Sequence, residues 1–226
     1  MRLFITLFFC INLLSGFASG SYTSLAEALK NPQGAKSLTL SGKGLTVLSE
    51  DIGKLVNLER LDVSTNNLTA LPKALFTLKK LMYLNVTANK LTAIPAGIAN
   101  LKNLQELEIG FNKLSTLPKE IGMLIKLNRL VAAKNNIKTL PVEMKQLTEL
   151  QIIDFSYNQF SVMPDVIATL TKLKSIDLSF NKLLAAYPAD IKNLQDLKIL
   201  NLKATKINAK QADELTWLIP DCQVML

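Results

Sequence analysis

Leucine and isoleucine recur along this chain with a period of 23 residues. Each copy has apolar residues at its first, fourth and sixth positions and a polar residue at its ninth, as in LERLDVSTN at residues 58–66. A degenerate first copy has Lys43 at the ninth position, and a degenerate last copy has Thr205 there after a step of 24. Eight copies with atypical ends predict a stack of repeating units around one continuous core. The ninth residue is asparagine in the six copies between them, at Asn66, Asn89, Asn112, Asn135, Asn158 and Asn181.

The pattern within one copy predicts a short strand followed by a turn. Leu61 and Val63 are two residues apart and point to one side of a strand, while Arg60 and Asp62 point to the other. Pro72 then predicts an extended corner. The asparagine recurs too regularly for a surface residue, and its side chain has both a donor and an acceptor. We expect it to be buried at the turn and to link backbone groups of adjacent coils.

The pattern LxxLxLxxNxLxxLPxxIxxLxx resembles the 23-residue form of the leucine-rich repeat over about residues 35–208. It is similar to bacterial exported leucine-rich repeat proteins, and such repeats also occur in intracellular Ras-linked and plant scaffold proteins. The resemblance implies an α/β fold, a right-handed solenoid of about eight coils with a parallel β-sheet on its concave side. It also implies short helical or irregular segments on the convex side and helical caps at both ends. It identifies no partner.

Residues 1–20 have the order of a secretory signal peptide. Arg2 precedes an apolar run over residues 3–14, and small residues follow, so that cleavage fits after Ala18 or after Gly20. The run is too short for a transmembrane helix, which needs about 20 apolar residues. We therefore expect an exported protein that is secreted, periplasmic or on the cell surface. An uncleaved membrane anchor is the alternative.

Residues 21–34 and 209–226 are predicted to cap the two ends of the repeats. Ser24 is followed three residues later by Glu27, which is a capping-box signal for a short N-terminal helix. Asn208 is followed three residues later by a glutamine and should begin a C-terminal helix with one apolar face. A final strand is expected after that helix.

Three irregular features lie toward the C-terminal end. The seventh copy has one extra residue, which predicts a small bulge between Leu184 and Tyr187, at a corner that tolerates insertion. Trp217 is expected to pack in the core or the cap rather than to bind a ligand. Cys222 is the only cysteine after residue 20, so no disulfide can form within the mature chain. We expect it to be buried or at an edge, with an intermolecular disulfide as the alternative.

Composition argues against catalysis. The chain has 226 residues and is 49% hydrophobic, but it contains no histidine, the commonest general base near neutral pH and the commonest metal ligand. It also lacks the GxxxxGK[ST] pattern of a phosphate-binding loop. Acid pairs such as Glu106 with Glu108 would lie on an open sheet, where water should leave carboxyl pKa values near their ordinary range. We expect no enzyme, no cofactor and no metal site.

The formal net charge of +8 raises the question of a nucleic-acid partner. Many lysines recur in the outer segments, where they would spread charge over the convex side, whereas the candidate concave face is acidic. No nucleic-acid partner is therefore expected, and weak association with an anionic cell surface stays open. These lysines are Lys54, Lys79, Lys80, Lys102, Lys126, Lys145, Lys172 and Lys192.

Positions that the repeat pattern leaves free define a candidate partner-binding site on the concave face. They combine acidic residues on the strands with aromatic residues just before the asparagine. Aromatic rings supply rigid contact area and acids select charge, as protein-recognition surfaces do. The alternative is that the rings only shelter the asparagine turn and the acids are an ordinary feature of such repeats. The predicted site consists of Glu106, Glu108, Phe111, Arg129, Lys134, Asp154, Tyr157, Asp177 and Phe180.

The sequence therefore predicts an exported, non-catalytic module that binds a protein or peptide through its concave sheet. One alternative is a structural or adhesive envelope protein whose convex lysines bind surface glycans or lipids. A second is an intracellular signalling scaffold similar to the Ras-linked leucine-rich repeat proteins. The sequons at Asn67 and Asn85 matter only if the source glycosylates such sites.

Overall fold

The computed structural model describes residues 20–226, so the predicted signal peptide lies outside the described residues except for Gly20. Within the described part, ten short parallel strands form one sheet in chain order. Equivalent positions pair between neighbouring strands; Leu61, for example, is opposite Leu84. The strands are β1 (Ser21–Tyr22), β2 (Ser37–Thr39), β3 (Arg60–Asp62), β4 (Tyr83–Asn85), β5 (Glu106–Glu108), β6 (Arg129–Val131), β7 (Ile152–Asp154), β8 (Ser175–Asp177), β9 (Ile199–Asn201) and β10 (Gln223–Met225).

Strands β2 to β9 belong to the eight predicted coils. β1 and β10 come from the flanking segments and pair with β2 and β9, which lengthens the sheet by one strand at each end. The sequence predicts a final strand such as β10, but it gives no strand signal for the two residues of β1. The predicted α/β solenoid with one parallel sheet is confirmed, and its right-handed crossovers follow the usual rule for parallel strands.

Short 3-10 helices form the convex side of the coils. Six of those in the described chain begin directly after a proline, which is the N-cap residue and takes the extended conformation that its fixed φ allows. Their buried residues, such as Ile98 and Ile121, complete the core behind the sheet. The helices are η1 (Glu50–Lys54), η2 (Lys73–Thr77), η3 (Ala96–Asn100), η4 (Lys119–Met123), η5 (Val142–Gln146), η6 (Asp165–Thr169) and η7 (Ala189–Asn193).

The repeated asparagine joins each coil to the preceding one, as predicted. Asn158 Nδ2 donates to the Ala132 carbonyl of the preceding coil at 3.0 Å and to the Phe155 carbonyl of its own coil at 3.1 Å. Its Oδ1 accepts from the backbone N–H of Ile137, also in the preceding coil, at 2.9 Å. The other five asparagines make the same three bonds. The first coil has no preceding repeat, which explains the exposed Lys43 in place of asparagine.

The residue before the ninth position adopts the left-handed backbone conformation. The first coil has Gly42 there, with φ of 67°, but the next seven coils have residues with a side chain. For such residues this conformation costs about 1–2 kcal/mol. Coil-to-coil bonds hold it in place, for example that from Phe111 N–H to the Ala133 carbonyl at 2.8 Å. The seven residues, with φ between 51° and 57°, are Thr65, Ala88, Phe111, Lys134, Tyr157, Phe180 and Ala204.

The two caps differ in how well the sequence predicted them. The N-terminal helix α1 (Leu25–Ala28) has only four residues, and the Ser24 side chain makes no capping bond. The predicted capping box is wrong because Glu27 instead forms an ion pair with Lys30 at 2.8 Å. The C-terminal helix α2 (Ala209–Leu218) does have a capping box, in which the Asn208 side chain accepts from the backbone N–H of the glutamine three residues later.

Helix α2 turns its apolar face to the last coil. Leu215 is fully buried there, and Cys222, which follows the helix, is buried as predicted. Trp217 is 86% exposed, so the prediction that it packs in the core or the cap is wrong. Two residues correspond to about 200° of rotation around a helix, so Trp217 faces away from the side that Leu215 buries.

The extra residue of the seventh coil lies at a corner that contacts α2. Tyr187 Oη donates its proton to Glu214 Oε2 at 2.9 Å and also lies 3.1 Å from the Gln211 carbonyl oxygen. Gln211 Nε2 in turn donates to the Ala185 carbonyl at 2.9 Å. The corner that contains the insertion therefore holds the C-terminal helix in place through hydrogen bonds. None of the helices within residues 20–226 is long and apolar enough to span a lipid bilayer.

Asn158→Ala should lower the free energy of unfolding by about 2–4 kcal/mol, because buried backbone groups of two coils lose their hydrogen-bond partners. Urea denaturation followed by circular dichroism measures this change. Asn100→Ala is the matched control, since Asn100 is exposed on η3, and should stay within about 0.5 kcal/mol of wild type. Equal losses in the two variants would contradict a structural role for the buried asparagine.

Candidate partner-binding surface on the concave sheet

The concave surface consists of columns of side chains from equivalent positions in successive coils. Because the strands pair in register, members of one column lie about 4.8 Å apart along the solenoid. Two columns come from the strands. A third comes from the left-handed residues at the edge of the sheet.

Four side chains of the third column form one continuous row, which we call the aromatic ladder: Phe111, Lys134, Tyr157 and Phe180. The rings of Tyr157 and Phe180 stack with centroids 4.1 Å apart and an angle of 7° between their planes. Lys134 Nζ lies 4.3 Å from the Phe111 centroid and 5.0 Å from that of Tyr157. The three aromatic residues are 50%, 43% and 37% exposed in chain order. The ladder thus presents ring surface to solvent along four coils.

The burial of the asparagines does not depend on these rings. Asn66 and Asn89 follow a threonine and an alanine and are each 8% exposed, whereas Asn158 follows a tyrosine and is 7% exposed. Asn181 follows Phe180 and is fully buried, but Asn112 follows the exposed Phe111 and is only partly buried. An aromatic side chain therefore gives the asparagine no consistent extra protection from water. This argues against shelter of the turn as the reason for the ladder.

Two of the predicted acidic residues stabilise the strand ends. Asp154 Oδ1 accepts from the backbone N–H of Ser156 at 2.9 Å. Asp177 Oδ1 accepts from the backbone N–H of Ser179 at 2.9 Å and from its hydroxyl at 2.6 Å. Asn201 Nδ2 donates to the other Asp177 oxygen at 2.8 Å. These aspartates are local acceptors for the backbone, which is the alternative that the sequence left open for the acids.

Glu106, Glu108 and Arg129 form a separate charged cluster on β5 and β6. Glu106 pairs in register with Arg129, and Arg129 Nε lies 3.6 Å from Glu108 Oε1. Burial raises the pKa of Glu108, although the Arg129 charge opposes this, and burial likewise raises the pKa of Asp154. The expectation that these carboxyl pKa values stay in their ordinary range is wrong, because the curved sheet and its neighbouring side chains exclude water.

The cluster continues toward the N-terminus through residues that the sequence did not single out. The Arg60 guanidinium carbon lies 4.1 Å from the centroid of the Tyr83 ring. Burial, with the charge of Glu108, raises the pKa of Tyr83 to about 12. Arg60 and Tyr83 occupy the same column as Glu106 and Arg129, and that shared column is the sequence signal that could have found them.

The other features of the surface are a groove and the convex charges. A groove runs beside the ladder, lined by Tyr157, Phe180 and the exposed Leu183 among others. The eight convex lysines are all exposed. Lys54 and Lys172 form ion pairs with neighbouring acids at 2.6 and 2.7 Å. Within the described chain, no group of three or more histidine, cysteine or acidic residues is arranged to hold a metal ion.

Comparisons with known proteins agree with this architecture. Two family models match the chain, one described as a leucine-rich repeat region over residues 27–133 and one as a leucine rich repeat over residues 125–183. A search of curated protein sequences gives no match.

Solved structures with the same architecture include bacterial and plant proteins. A leucine-rich repeat protein of Leptospira interrogans is 32% identical with a TM-score of 0.77, over 92% of this chain and 58% of that one. An internalin of Listeria monocytogenes is 25% identical with a TM-score of 0.75, over 91% and 57%. The ectodomain of an Arabidopsis thaliana membrane receptor kinase, in complex with Casparian strip integrity factor 2, is 29% identical with a TM-score of 0.73, over 91% and 26%. The chain thus spans less than two thirds of each of these proteins.

The parallel coils, the 3-10 helices and the asparagine bonds define a repeat solenoid with one open concave sheet. The chain belongs to the leucine-rich repeat family and has bacterial relatives. Domains of this family typically mediate protein–protein interaction and are generally non-catalytic.

Glu108→Gln should change how stability depends on pH in the window that begins near the ordinary glutamate pKa of about 4.3 and extends upward from it. Burial raises the pKa of Glu108 above its value in the unfolded chain, so the folded state holds this proton to higher pH. The contribution of Glu108 to stability therefore falls as pH rises through this window. Glutamine does not ionise, and the difference in unfolding free energy, wild type minus variant, should decrease with pH.

Urea denaturation at several pH values measures this difference. Asn100→Ala removes no ionisable group and should keep the wild-type slope. A difference between wild type and Glu108→Gln that stays constant or increases with pH would contradict the effect of burial.

Proposed function

We propose that this chain is an exported, non-catalytic module that binds a protein or peptide through its concave sheet, with the aromatic ladder as the centre of contact. The observation that carries the proposal is the ladder itself. Large, partly exposed aromatic side chains occupy a position where the backbone conformation disfavours any side chain.

The left-handed position gives no local reason for aromatic residues. Glycine adopts this conformation without cost, and the first coil has Gly42 there. Ala88 and Ala204 show that a small side chain is sufficient in other coils. Residues in disfavoured conformations concentrate at functional sites. The rings of Tyr157 and Phe180 are therefore better explained by contact with a partner than by the needs of the coil.

The surface has the size and composition of a peptide-binding site. Eight coils at about 4.8 Å each span roughly 35 Å, which is enough for a footprint of about 800 Å². Exposed aromatic rings bordered by charged groups are typical of residues that dominate binding energy. Two solved relatives are receptor complexes, the Arabidopsis receptor ectodomain with Casparian strip integrity factor 2 and a plant peptide hormone receptor with RGF2. They support a peptide or protein segment as the partner here.

Alanine at Phe111, Tyr157 and Phe180 together should reduce recovery of the natural partner at least tenfold, which is about 1.4 kcal/mol. The substitutions remove the ring surface of the ladder, and the fold should tolerate them because Ala88 and Ala204 occupy equivalent positions. Immobilised protein is incubated with an envelope extract of the source, and bound proteins are quantified by mass spectrometry.

A matched control replaces three exposed apolar residues outside the sheet, Ile125, Val142 and Val162, by alanine. They are 55%, 62% and 54% exposed, so the control removes a similar amount of apolar surface. It should recover the partner as wild type does. Full recovery by the folded ladder variant would reject the ladder as the binding site.

Export is supported by the order of charge, apolar run and small residues within residues 1–20. Mass spectrometry of the protein from its source should find a mature N-terminus at Ser21, or at Ser19 if cleavage follows Ala18. An intact Met1 in the cytoplasmic fraction would contradict export. That result would favour the intracellular scaffold.

A further inference from the structure

We infer that the backbone N–H groups of Gly110 and Ala133 form a subsite for a carboxylate of the bound peptide. This inference rests on the proposed function, since it specifies the chemistry of the partner on the same concave face. The two residues occupy equivalent positions in adjacent coils, between the charged cluster on β5 and β6 and the aromatic ladder.

Five of the other six coils satisfy the equivalent N–H internally, whereas the first coil, which has Thr39 at its fifth position, makes no such bond from Ser41. An aspartate or asparagine at the fifth position accepts from the backbone N–H two residues later, as short Asx side chains commonly do. The accepting side chain lies on the concave face, so this N–H is directed to that face. The pairs are Asp62 with Ser64, Asn85 with Thr87, Asp154 with Ser156, Asp177 with Ser179 and Asn201 with Lys203, at 2.8 to 3.2 Å.

The fourth and fifth coils lack this acceptor. Their fifth positions are Glu108, whose carboxylate is turned to Arg129 at 3.6 Å, and Val131, which has no acceptor. Among the described residues, no acceptor is bonded to the backbone N–H of Gly110 or of Ala133. Both residues are buried, and a buried donor without a partner is destabilising. Two such donors in adjacent coils are therefore available to an acceptor from outside.

Gly110 leaves space above these donors. The other coils have serine, threonine, alanine or lysine at this position, and only the fourth has glycine. A methyl group at residue 110 would lie 3.7 Å from Ala133 N and 3.1 Å from its carbonyl oxygen. The missing side chain therefore opens access to the Ala133 N–H. The two oxygens of one carboxylate can each accept from one of these donors, because the two nitrogens are separated by about one strand spacing.

The charges beside the subsite favour an anion. Lys134 follows Ala133 directly, and its ammonium group lies over the ladder rings and not within 4.0 Å of a carboxylate of the described chain. Arg129 partly neutralises Glu108 from the other side. Backbone donors with nearby cations bind carboxylates through charge-assisted hydrogen bonds. A peptide whose carboxylate lies next to an apolar side chain would contact this subsite and the ladder together.

The double variant Glu108→Asn, Val131→Asn tests the subsite. Each new asparagine should accept from the N–H two residues later, as Asn85 and Asn201 do, and so occupy both donors from within. We expect the melting temperature to rise by about 2–4 °C and the response to carboxylates to disappear. The control Glu108→Gln, Val131→Ala removes the same groups without placing an acceptor in reach.

The measurement is a nuclear magnetic resonance titration of the 15N-labelled full chain at constant ionic strength. The probes are N-acetylglycine, which has a terminal carboxylate, the α-amide of N-acetylaspartate, which has a side-chain carboxylate, and the neutral N-acetylglycinamide. The amide protons of Gly110 and Ala133 should shift downfield and saturate with a carboxylate probe but not with the neutral amide. A response to only one of the acids identifies a chain terminus or an acidic side chain as the source.

The expected pattern is a response in wild type and in the control variant and none in the double asparagine variant. The subsite would be rejected if the amide signals of Gly110 and Ala133 do not shift with either acid. It would also be rejected if the double asparagine variant keeps the wild-type response. If the ladder variant still loses the natural partner in that case, the proposed function stands and only the carboxylate subsite is rejected.

Discussion

The interaction on which the rest of this structure depends is a buried asparagine side chain that serves two coils at once. Strands of three residues cannot hold a sheet together by themselves, and the turn after each strand leaves backbone groups without partners. Asn158 satisfies groups of its own coil and of the one before. The bonds also hold the preceding residue, Tyr157, in a left-handed conformation. The arrangement that closes the core thus determines where the ring of Tyr157 stands, and the ladder is a consequence of core packing.

Most of the fold could be predicted because the same requirement returns at the same position of every coil. A leucine such as Leu61 is constrained by the leucines at equivalent positions in neighbouring coils, so the period identifies it. The predictions that failed concern residues that lie outside the repeated pattern. The Ser24 side chain makes no capping bond, and Glu27 pairs with Lys30 instead of completing a capping box. Trp217 is apolar, but its position around the helix decides whether it faces the last coil or solvent. Because α2 occurs only once, no repeated pattern identifies its buried side.

The candidate site could be predicted in outline but not in its contacts. The column that contains Phe111 and Phe180 is visible in the aligned copies, whereas the stacking of Tyr157 on Phe180 depends on side-chain rotamers. The acidic residues make different contacts because their side chains differ in length. The short side chain of Asp154 accepts from the backbone N–H of Ser156, two residues later, while Glu108, one methylene longer, turns to Arg129. The free Gly110 donor follows from that difference, and the free Ala133 donor follows from Val131, which has no acceptor.

The corner at Tyr187 makes the seventh coil unlike the other seven. Helix α2 contacts it through hydrogen bonds to Tyr187 and Ala185, which lie in the segment that the extra residue lengthens. Gene duplication of a 23-residue unit among the earlier coils would lengthen the solenoid and leave this junction intact. A unit inserted after the seventh coil would separate helix α2 from the corner at Tyr187. The number of coils is therefore free to change during evolution at one end of the molecule and fixed at the other.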